Sequence, residues 1–176
     1  MRGRHQVRLR RHQALDWAQS RWAEGSVHEP ATPRRLRAVK IWLVDTGPLI
    51  ALLARDDAHH EWAIEQSKAA PATVLTCEAV ISEALFLLKR AGHDVDDLFA
   101  LVEVGFLRSD FNFQAEARAV RNLMKRYREQ PMGFADACLV RMAELNPDAC
   151  VWTLDGDFRV YRKNRRQTLS LVIPDA

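Results

Sequence analysis

Residues 40–50, KIWLVDTGPLI, contain the pattern from which the fold can be inferred. The bulky apolar residues of this stretch stand on consecutive positions, which is typical of a strand buried on both faces of a parallel sheet. The run ends in Asp45, after which Gly47 predicts a sharp turn and Pro48 the first position of a helix. Asp45 is therefore expected at the carboxyl end of a buried strand, the edge at which open α/β sheets bind their ligands.

Composition and charge divide the chain into a basic extension and one folded domain. The 176 residues are 48% hydrophobic and 28% charged, as expected for a single globular domain. Residues 1–40 contain ten basic and three acidic residues, whereas residues 41–176 contain sixteen basic and twenty acidic ones. We predict an extension over 1–38, disordered or partly helical, and a domain over 39–176. Two alternatives for the extension are an arm that contacts nucleic-acid phosphates and a natural translation start near Val39.

The sequence favours a cytoplasmic protein without membrane contact. No apolar run approaches the roughly 20 residues of a membrane-spanning helix, and the basic N-terminus lacks the apolar segment of a secretory signal. The three cysteines lack the short paired spacing of zinc sites and are interpreted as small buried hydrophobic residues. His59, His60 and Glu61 are consecutive, but this run is interpreted as a solvated helix start rather than a metal site.

Strands and helices are predicted to alternate along the domain. Short apolar strands are expected near residues 40–44, 73–75, 105–108, 150–154 and 169–173. Helices are expected near residues 48–54, 58–69, 76–90, 95–104, 113–128 and 134–145. Thr76 is predicted to cap the third helix, which Gly92 ends. Strands separated by helices form parallel sheets, so the predicted fold is α/β, a three-layer α/β/α sandwich with a mainly parallel sheet.

Four carboxylates stand at positions that favour a shared site. Asp45 and Asp155 each end a predicted strand, Asp136 lies in the first turn of a predicted helix, and Glu83 lies among apolar helical residues. Each aspartate also has a structural interpretation, since aspartates form turns and stabilise helix N-termini. A purely structural role is harder to assign to Glu83, because a glutamate on an apolar face needs a partner. If the two strands are neighbours, all four side chains could converge in one cleft.

Such a group of acids predicts a metal-dependent hydrolase. Neighbouring carboxylates repel one another, and a divalent cation removes the repulsion. Hard oxygen ligands without clustered His or Cys indicate Mg²⁺, with Mn²⁺ as a substitute. A cation of this kind lowers the pKa of water and offsets charge on a phosphate, as phosphodiester hydrolysis requires. Thr46, Thr153 and Asp157 are expected to orient or assist the acids.

Four segments resemble the PIN-domain ribonucleases, specifically the VapC-type toxins of bacterial type II toxin–antitoxin systems. They are LVDTGPL (43–49), TCEAVISEAL (76–85), PMGFADA (131–137) and TLDGDF (153–158). The resemblance covers about residues 39–174 and implies an α/β/α sandwich. It also implies a Mg²⁺-binding quartet, formed by Asp45, Glu83, Asp136 and Asp155, with Asp157 as the alternative for the last position. RNA cleavage, a homodimer and a cognate antitoxin in the active-site groove are further implications.

A basic segment follows the last acids. Its predicted RNA-binding residues are Arg159, Tyr161, Arg162, Arg165 and Arg166. The arginines would contact phosphates, and Tyr161 would stack on a base. The alternative interpretation is a solvated basic turn before an edge strand.

The sequence therefore predicts a Mg²⁺-dependent endoribonuclease that acts as a toxin. One alternative is a non-catalytic module of the same fold that binds RNA or protein. A second is a phosphatase with Asp45 as its nucleophile. Haloacid-dehalogenase-like phosphatases normally carry a second aspartate two residues later, where this chain has Gly47.

Overall fold

The computed structural model describes residues 41–175, so the predicted extension over 1–38 lies outside the described residues. The strands are β1 (Trp42–Val44), β2 (Val74–Thr76), β3 (Leu107–Ser109), β4 (Cys150–Trp152), β5 (Arg162–Lys163), β6 (Gln167–Thr168) and β7 (Ser170–Val172). The helices are α1 (Thr46–Leu53), α2 (His60–Ala69), α3 (Glu78–Ala91), α4 (Asp96–Glu103), α5 (Phe113–Arg126) and α6 (Phe134–Leu145). A 3-10 helix, Gly156–Arg159, follows β4.

Five strands form one parallel sheet in the order β3-β2-β1-β4-β7. Strand β1 is central, and Leu43 is in register with Leu75 of β2 on one side and Val151 of β4 on the other. From β1 the chain first builds outward to β3, then crosses back to β4. Right-handed crossovers place α1–α4 on one face and α5 and α6 on the other. The predicted three-layer α/β/α sandwich is confirmed.

The core extends over both faces of the central strands. Leu43, Val44 and Val151 are fully buried, as their consecutive apolar runs predict. The rings of Trp42 and Trp152 meet edge to face, with centroids 5.8 Å apart. Among residues 41–175, no helix combines the length and the apolar character needed to cross a membrane.

The prediction for the segment after β1 was partly wrong. Helix α1 begins at Thr46 with Asp45 as its N-cap, so Gly47 and Pro48 lie inside the first turn of the helix. Gly47 therefore makes no sharp turn. It leaves room for a neighbour instead, because a Cβ there would lie 3.2 Å from the Cβ of Leu154. Close packing of α1 against the segment after β4 requires a residue without a side chain here.

The predicted cap of α3 was also wrong. Thr76 belongs to β2, and the N-cap of α3 is Cys77. The hydroxyl of Thr76 donates a hydrogen bond to the carbonyl oxygen of Val44 at 2.9 Å and so joins β2 to β1. The predicted end of the helix is confirmed, since Gly92 has a left-handed φ of 83°.

The bond from Thr76 predicts a stability change. Thr76→Val keeps the shape of this buried side chain but removes its donor, so we expect the free energy of unfolding to fall by about 1–2 kcal/mol. Urea denaturation measures the loss. The control is Thr168→Val on β6, where the residue is exposed, and a change below about 0.5 kcal/mol is expected. Equal losses in both variants would contradict the assigned bond.

Candidate active site

The two central strands bring Asp45 and Asp155 to the same edge of the sheet. β1 and β4 are parallel neighbours, and each aspartate follows the carboxyl end of its strand. The backbone N–H of Asp45 donates to the carbonyl of Trp152 at 2.9 Å, which continues the pairing beyond β1. Helix α3 follows β2, and α6 precedes β4, so the N-terminal turns of both helices also lie at this edge.

Asp45 is held by two short hydrogen bonds. One carboxylate oxygen, Oδ1, accepts the backbone N–H of Thr46 at 2.7 Å, and Oδ2 accepts the hydroxyl of Thr153 at 2.7 Å. The residue is only 7% exposed. Both oxygens are therefore fixed in direction by neighbours from two different segments of the chain.

Two threonines connect Asp45 to other acids. The hydroxyl of Thr46 donates to Oε2 of Glu83 at 2.9 Å, while its backbone N–H binds Asp45. The hydroxyl of Thr153 donates to Asp45 and accepts the backbone N–H of Asp155 at 2.9 Å. The predicted orienting contacts of both threonines are present, so three of the four acids belong to one hydrogen-bonded network.

Asp136 is positioned separately, at the start of α6. Its Oδ2 accepts the backbone N–H of Gly133, the N-cap residue, at 2.8 Å. The first turn of a helix favours a negative charge, because its N–H groups point outward. Asp136, Glu83 and Asp155 all line one open cleft of about 950 Å³ at the carboxyl edge.

The acids influence one another's ionisation. Burial raises the pKa of Asp45 to about 6, although bonds from Thr153 and Thr46 lower it, and the charges of Asp136 and Asp155 raise it further. Burial also raises the pKa of Asp136, and the negative charges of Asp155 and Glu83 raise it further. A positive charge in the cleft would offset each of these unfavourable charge interactions.

Three of the four predicted metal ligands, Glu83, Asp136 and Asp155, line the cleft, whereas Asp45 is buried beneath it and is linked to Glu83 and Asp155 by threonines. Across residues 41–175, no group of three or more His, Cys, Asp or Glu side chains is close enough to hold a metal ion. The donors nonetheless fit a hard divalent cation in chemistry, since they are carboxylate oxygens whose mutual repulsion such a cation would relieve.

The environment of Glu83 differs from the prediction, which placed it facing or bordering the apolar core. The residue is exposed at the cleft and has Thr46 as its partner. Asp155 is exposed and lines the cleft, whereas Asp157 is half-buried in the 3-10 helix. The backbone N–H of Asp157 donates to Oδ1 of Asp155 at 2.8 Å. This contact orients Asp155 and makes it the better candidate for the fourth acid.

The stacking role predicted for Tyr161 was wrong. Its side chain is completely buried, with ring centroids 5.1 Å from Tyr127 and 5.4 Å from Phe158. The hydroxyl has no hydrogen-bond partner among the described residues. Burial, together with the charges of Asp136 and Asp157, raises the pKa of Tyr161. Tyr161 is a core residue beneath the site and cannot reach a base.

The four predicted RNA-binding arginines lie in different places. Arg159 is exposed, and its guanidinium donates to the carbonyl of Pro174, just beyond the carboxyl end of β7. Nη1 of Arg162 donates to three backbone carbonyls within 2.7–2.9 Å and so serves the local fold. Arg165 and Arg166 are exposed in the turn between β5 and β6.

That turn lies beside the other end of α6. The backbone N–H of Asn164 donates to Glu144, eight residues and about 12 Å of helix beyond Asp136. Arg165 and Arg166 are thereby placed away from the cleft, whereas Arg159 lies four residues after Asp155 and contacts the segment beyond the carboxyl end of β7.

The cleft has further residues that the sequence analysis did not assign to it. They are Glu78, Ala79, Ser82, Phe86, Pro131, Gly133, Phe134 and Ala135. A periodic signal was present, since positions 79, 82, 83 and 86 recur at the spacing of one helix face, with Glu83 among them. The sequence analysis gave Phe86 no role, because a single apolar residue outside the core face of a helix carries no signal of function by itself.

Comparison with known proteins identifies the family. A model of the PIN domain matches residues 42–164. The chain belongs to the PIN domain family. Comparison with curated proteins gives no match.

Among solved structures, this PIN domain is similar to the crystal structure of Mycobacterium tuberculosis VapC20, described as a sarcin-ricin loop cleaving toxin. The two chains share 25% identity with a TM-score of 0.59 over 68% of this chain and 93% of the other. The resemblance to VapC-type PIN-domain ribonucleases is confirmed.

The raised pKa of Asp45 predicts how stability depends on pH. The folded state holds this proton more tightly than the unfolded state, in which the pKa is near 3.8. Without metal, its ionisation therefore destabilises the fold above about pH 6, and stability returns as the pH falls through this value. From pH 8 to pH 5 we expect Asp45 to add about 1–2 kcal/mol to the free energy of unfolding.

Urea denaturation in EDTA at both pH values measures this dependence. Asp45→Asn should remove the part of the pH dependence that Asp45 contributes, whereas Glu61→Gln, which changes an exposed acid on α2, should keep the wild-type slope. Equal pH dependence in wild-type protein and Asp45→Asn would contradict the assigned ionisation.

Proposed function

We propose that this PIN domain is a Mg²⁺-dependent endoribonuclease that hydrolyses RNA phosphodiester bonds as the toxin of a type II toxin–antitoxin pair. The observation that carries the proposal is the hydrogen-bonded arrangement of acids at the carboxyl edge. Asp45 is its fixed centre, Thr46 links it to Glu83, and Thr153 links it to Asp155. Asp136 faces the same cleft from α6.

The cation would be held by the carboxylates of Asp45, Glu83, Asp136 and Asp155. When bound, Mg²⁺ or Mn²⁺ supplies Lewis acidity, which lowers the pKa of water and offsets charge on the phosphate. The chain's own residues supply the orientation. Thr153 holds one oxygen of Asp45 and the backbone of Asp155, so these two acids keep a fixed relative position without the cation.

A phosphatase with Asp45 as its nucleophile is the weaker alternative. A nucleophilic carboxylate needs an accessible oxygen, but Asp45 is 7% exposed and both of its oxygens already accept hydrogen bonds. A stable aspartyl-phosphate would be the signature of that chemistry. A non-catalytic module would instead bind RNA or protein without any nuclease activity that EDTA abolishes.

The proposed partners follow from the same family. We expect an RNA substrate, a homodimer, a cognate antitoxin and a cytoplasmic location. Within the basic segment we assign phosphate contact to Arg159, because it is exposed, lies four residues after Asp155 and contacts the segment beyond the carboxyl end of β7. Arg165 and Arg166 would reach only RNA that extends past the far end of α6.

Loss of either of two acids should abolish cleavage. Asp45→Asn and Asp136→Asn remove donors for the cation, so we expect no detectable cutting of labelled RNA in Mg²⁺, and wild-type protein in EDTA should be equally inactive. Thr153→Val removes only the orienting hydroxyl and should lower kcat/KM by about 10–100-fold. Thr153→Ser keeps that hydroxyl and is the control. Wild-type cleavage by Asp45→Asn would refute the mechanism.

Arg159 should contribute to RNA affinity through a phosphate contact. For Arg159→Ala in the Asp45→Asn background, we expect weaker binding of single-stranded RNA and a slope of log K against log salt that is smaller by about 0.7. Fluorescence anisotropy across a salt series measures both. Arg165→Ala removes the same charge from the same segment and should leave the slope unchanged. Identical behaviour of the two variants would contradict a local contact.

A further inference from the structure

Two phenylalanine side chains form part of the wall of the acidic cleft. Phe86 is 62% exposed on α3, and Phe134 is 43% exposed at the first position of α6. Single exposed apolar residues are ordinary on protein surfaces and need no explanation. These two differ because both line the cavity that contains Glu83, Asp136 and Asp155.

Each ring has a fixed place relative to an acid. Phe86 lies three residues after Glu83 on α3, so the two side chains are neighbours on one helix face, about 5–6 Å apart at Cβ. Phe134 lies two residues before Asp136. Its ring is braced edge to face by Phe113, with centroids 5.1 Å apart and an interplanar angle of 89°. The ring of Phe134 is thus braced beside Asp136, whereas Phe86 is placed beside Glu83 by its position on α3.

Within residues 41–175, the cleft lining offers no cation for a phosphate. Every lining residue of this part of the chain is acidic, small, apolar or aromatic, and none is a lysine or arginine. Affinity for a nucleotide inside the cleft must therefore come from the bound metal and from contacts with uncharged parts of the nucleotide. Stacking of a base on an aromatic ring is such a contact, and it tolerates any sequence because every base has a π face.

We propose that Phe86 and Phe134 form a stacking surface for the base of one nucleotide beside the scissile phosphate. The inference rests on the proposed nuclease function and deepens it. A paired base is covered by its neighbours in the helix, so only an unstacked base could present its face to these rings.

The experiment compares intact and abasic substrates. A labelled single-stranded RNA of mixed sequence is cut by wild-type protein in Mg²⁺, and the cut is mapped. Two further RNAs are then synthesised, one with an abasic nucleotide on the 5′ side of the cut and one with an abasic nucleotide on the 3′ side. At one of these two positions, the missing base should lower wild-type kcat/KM by about 5- to 150-fold, the range known for losing one stacked base.

The protein variants show whether Phe86 is the surface that reads this base. Phe86→Ala should lose a comparable factor on intact RNA and lose little more on the abasic RNA, because the two changes remove the same contact. Phe86→Trp should retain cleavage, since it restores an aromatic face. Phe99→Ala is the matched control, because Phe99 is 48% exposed on α4 but does not line the cleft.

The failures of the two proposals are distinguishable. If wild-type protein cuts no RNA in Mg²⁺, the proposed function fails and this inference fails with it. If wild-type protein cuts RNA but Phe86→Ala matches it on the intact substrate, the stacking role alone is overturned, and the rings are left to a protein partner. If Phe86→Ala lowered kcat/KM by the same factor on intact and on abasic RNA, the stacking role would likewise be overturned, since the ring would then act through the fold.

Discussion

The structure depends on one buried carboxylate at the end of its central strand. Asp45 is taken out of water by strands on both sides, and this desolvation is the largest cause of its raised pKa. Hydrogen bonds from Thr46 and Thr153 compensate for part of the lost hydration. Because the compensation is incomplete, the folded chain retains a site whose charge is better satisfied by a cation than by the protein alone.

The fold could be predicted from the sequence because its strands are short, consecutive apolar runs. KIWLV and CVWTL read as strands covered on both faces, and the amphipathic segments between them require a layered arrangement. What the local pattern could not supply was the order of strands. The pairing of β1 with β4 decides whether Asp45 and Asp155 meet, and it is established only through contacts distant in sequence.

Candidate site residues could be predicted where polar residues interrupt apolar runs. The prediction failed where functional and core positions use the same residue types. Asp45, Asp155 and Thr153 each follow a strand and Asp136 lies in the first turn of a helix, so their places in the fold could be predicted, whereas Glu83 stood out as a carboxylate among apolar helical residues. Tyr161 was misassigned because its basic neighbours suggested exposure, although the hairpin of β5 and β6 turns its ring into the core. Phe86 was missed for a different reason, since a single exposed apolar residue is ordinary on a protein surface and its place at the cleft depends on the tertiary fold.

The contact between Thr153 and Asp45 spans 108 positions of the chain. During synthesis on the ribosome, the central strand therefore emerges long before the neighbour that completes its edge. Parallel pairing over such a separation closes late, because the loop entropy must be overcome first. A nascent or truncated chain that ends before residue 150 contains Asp45, Glu83 and Asp136 but lacks β4 and the last acid. The arrangement of acids becomes complete only when almost the entire domain has been made.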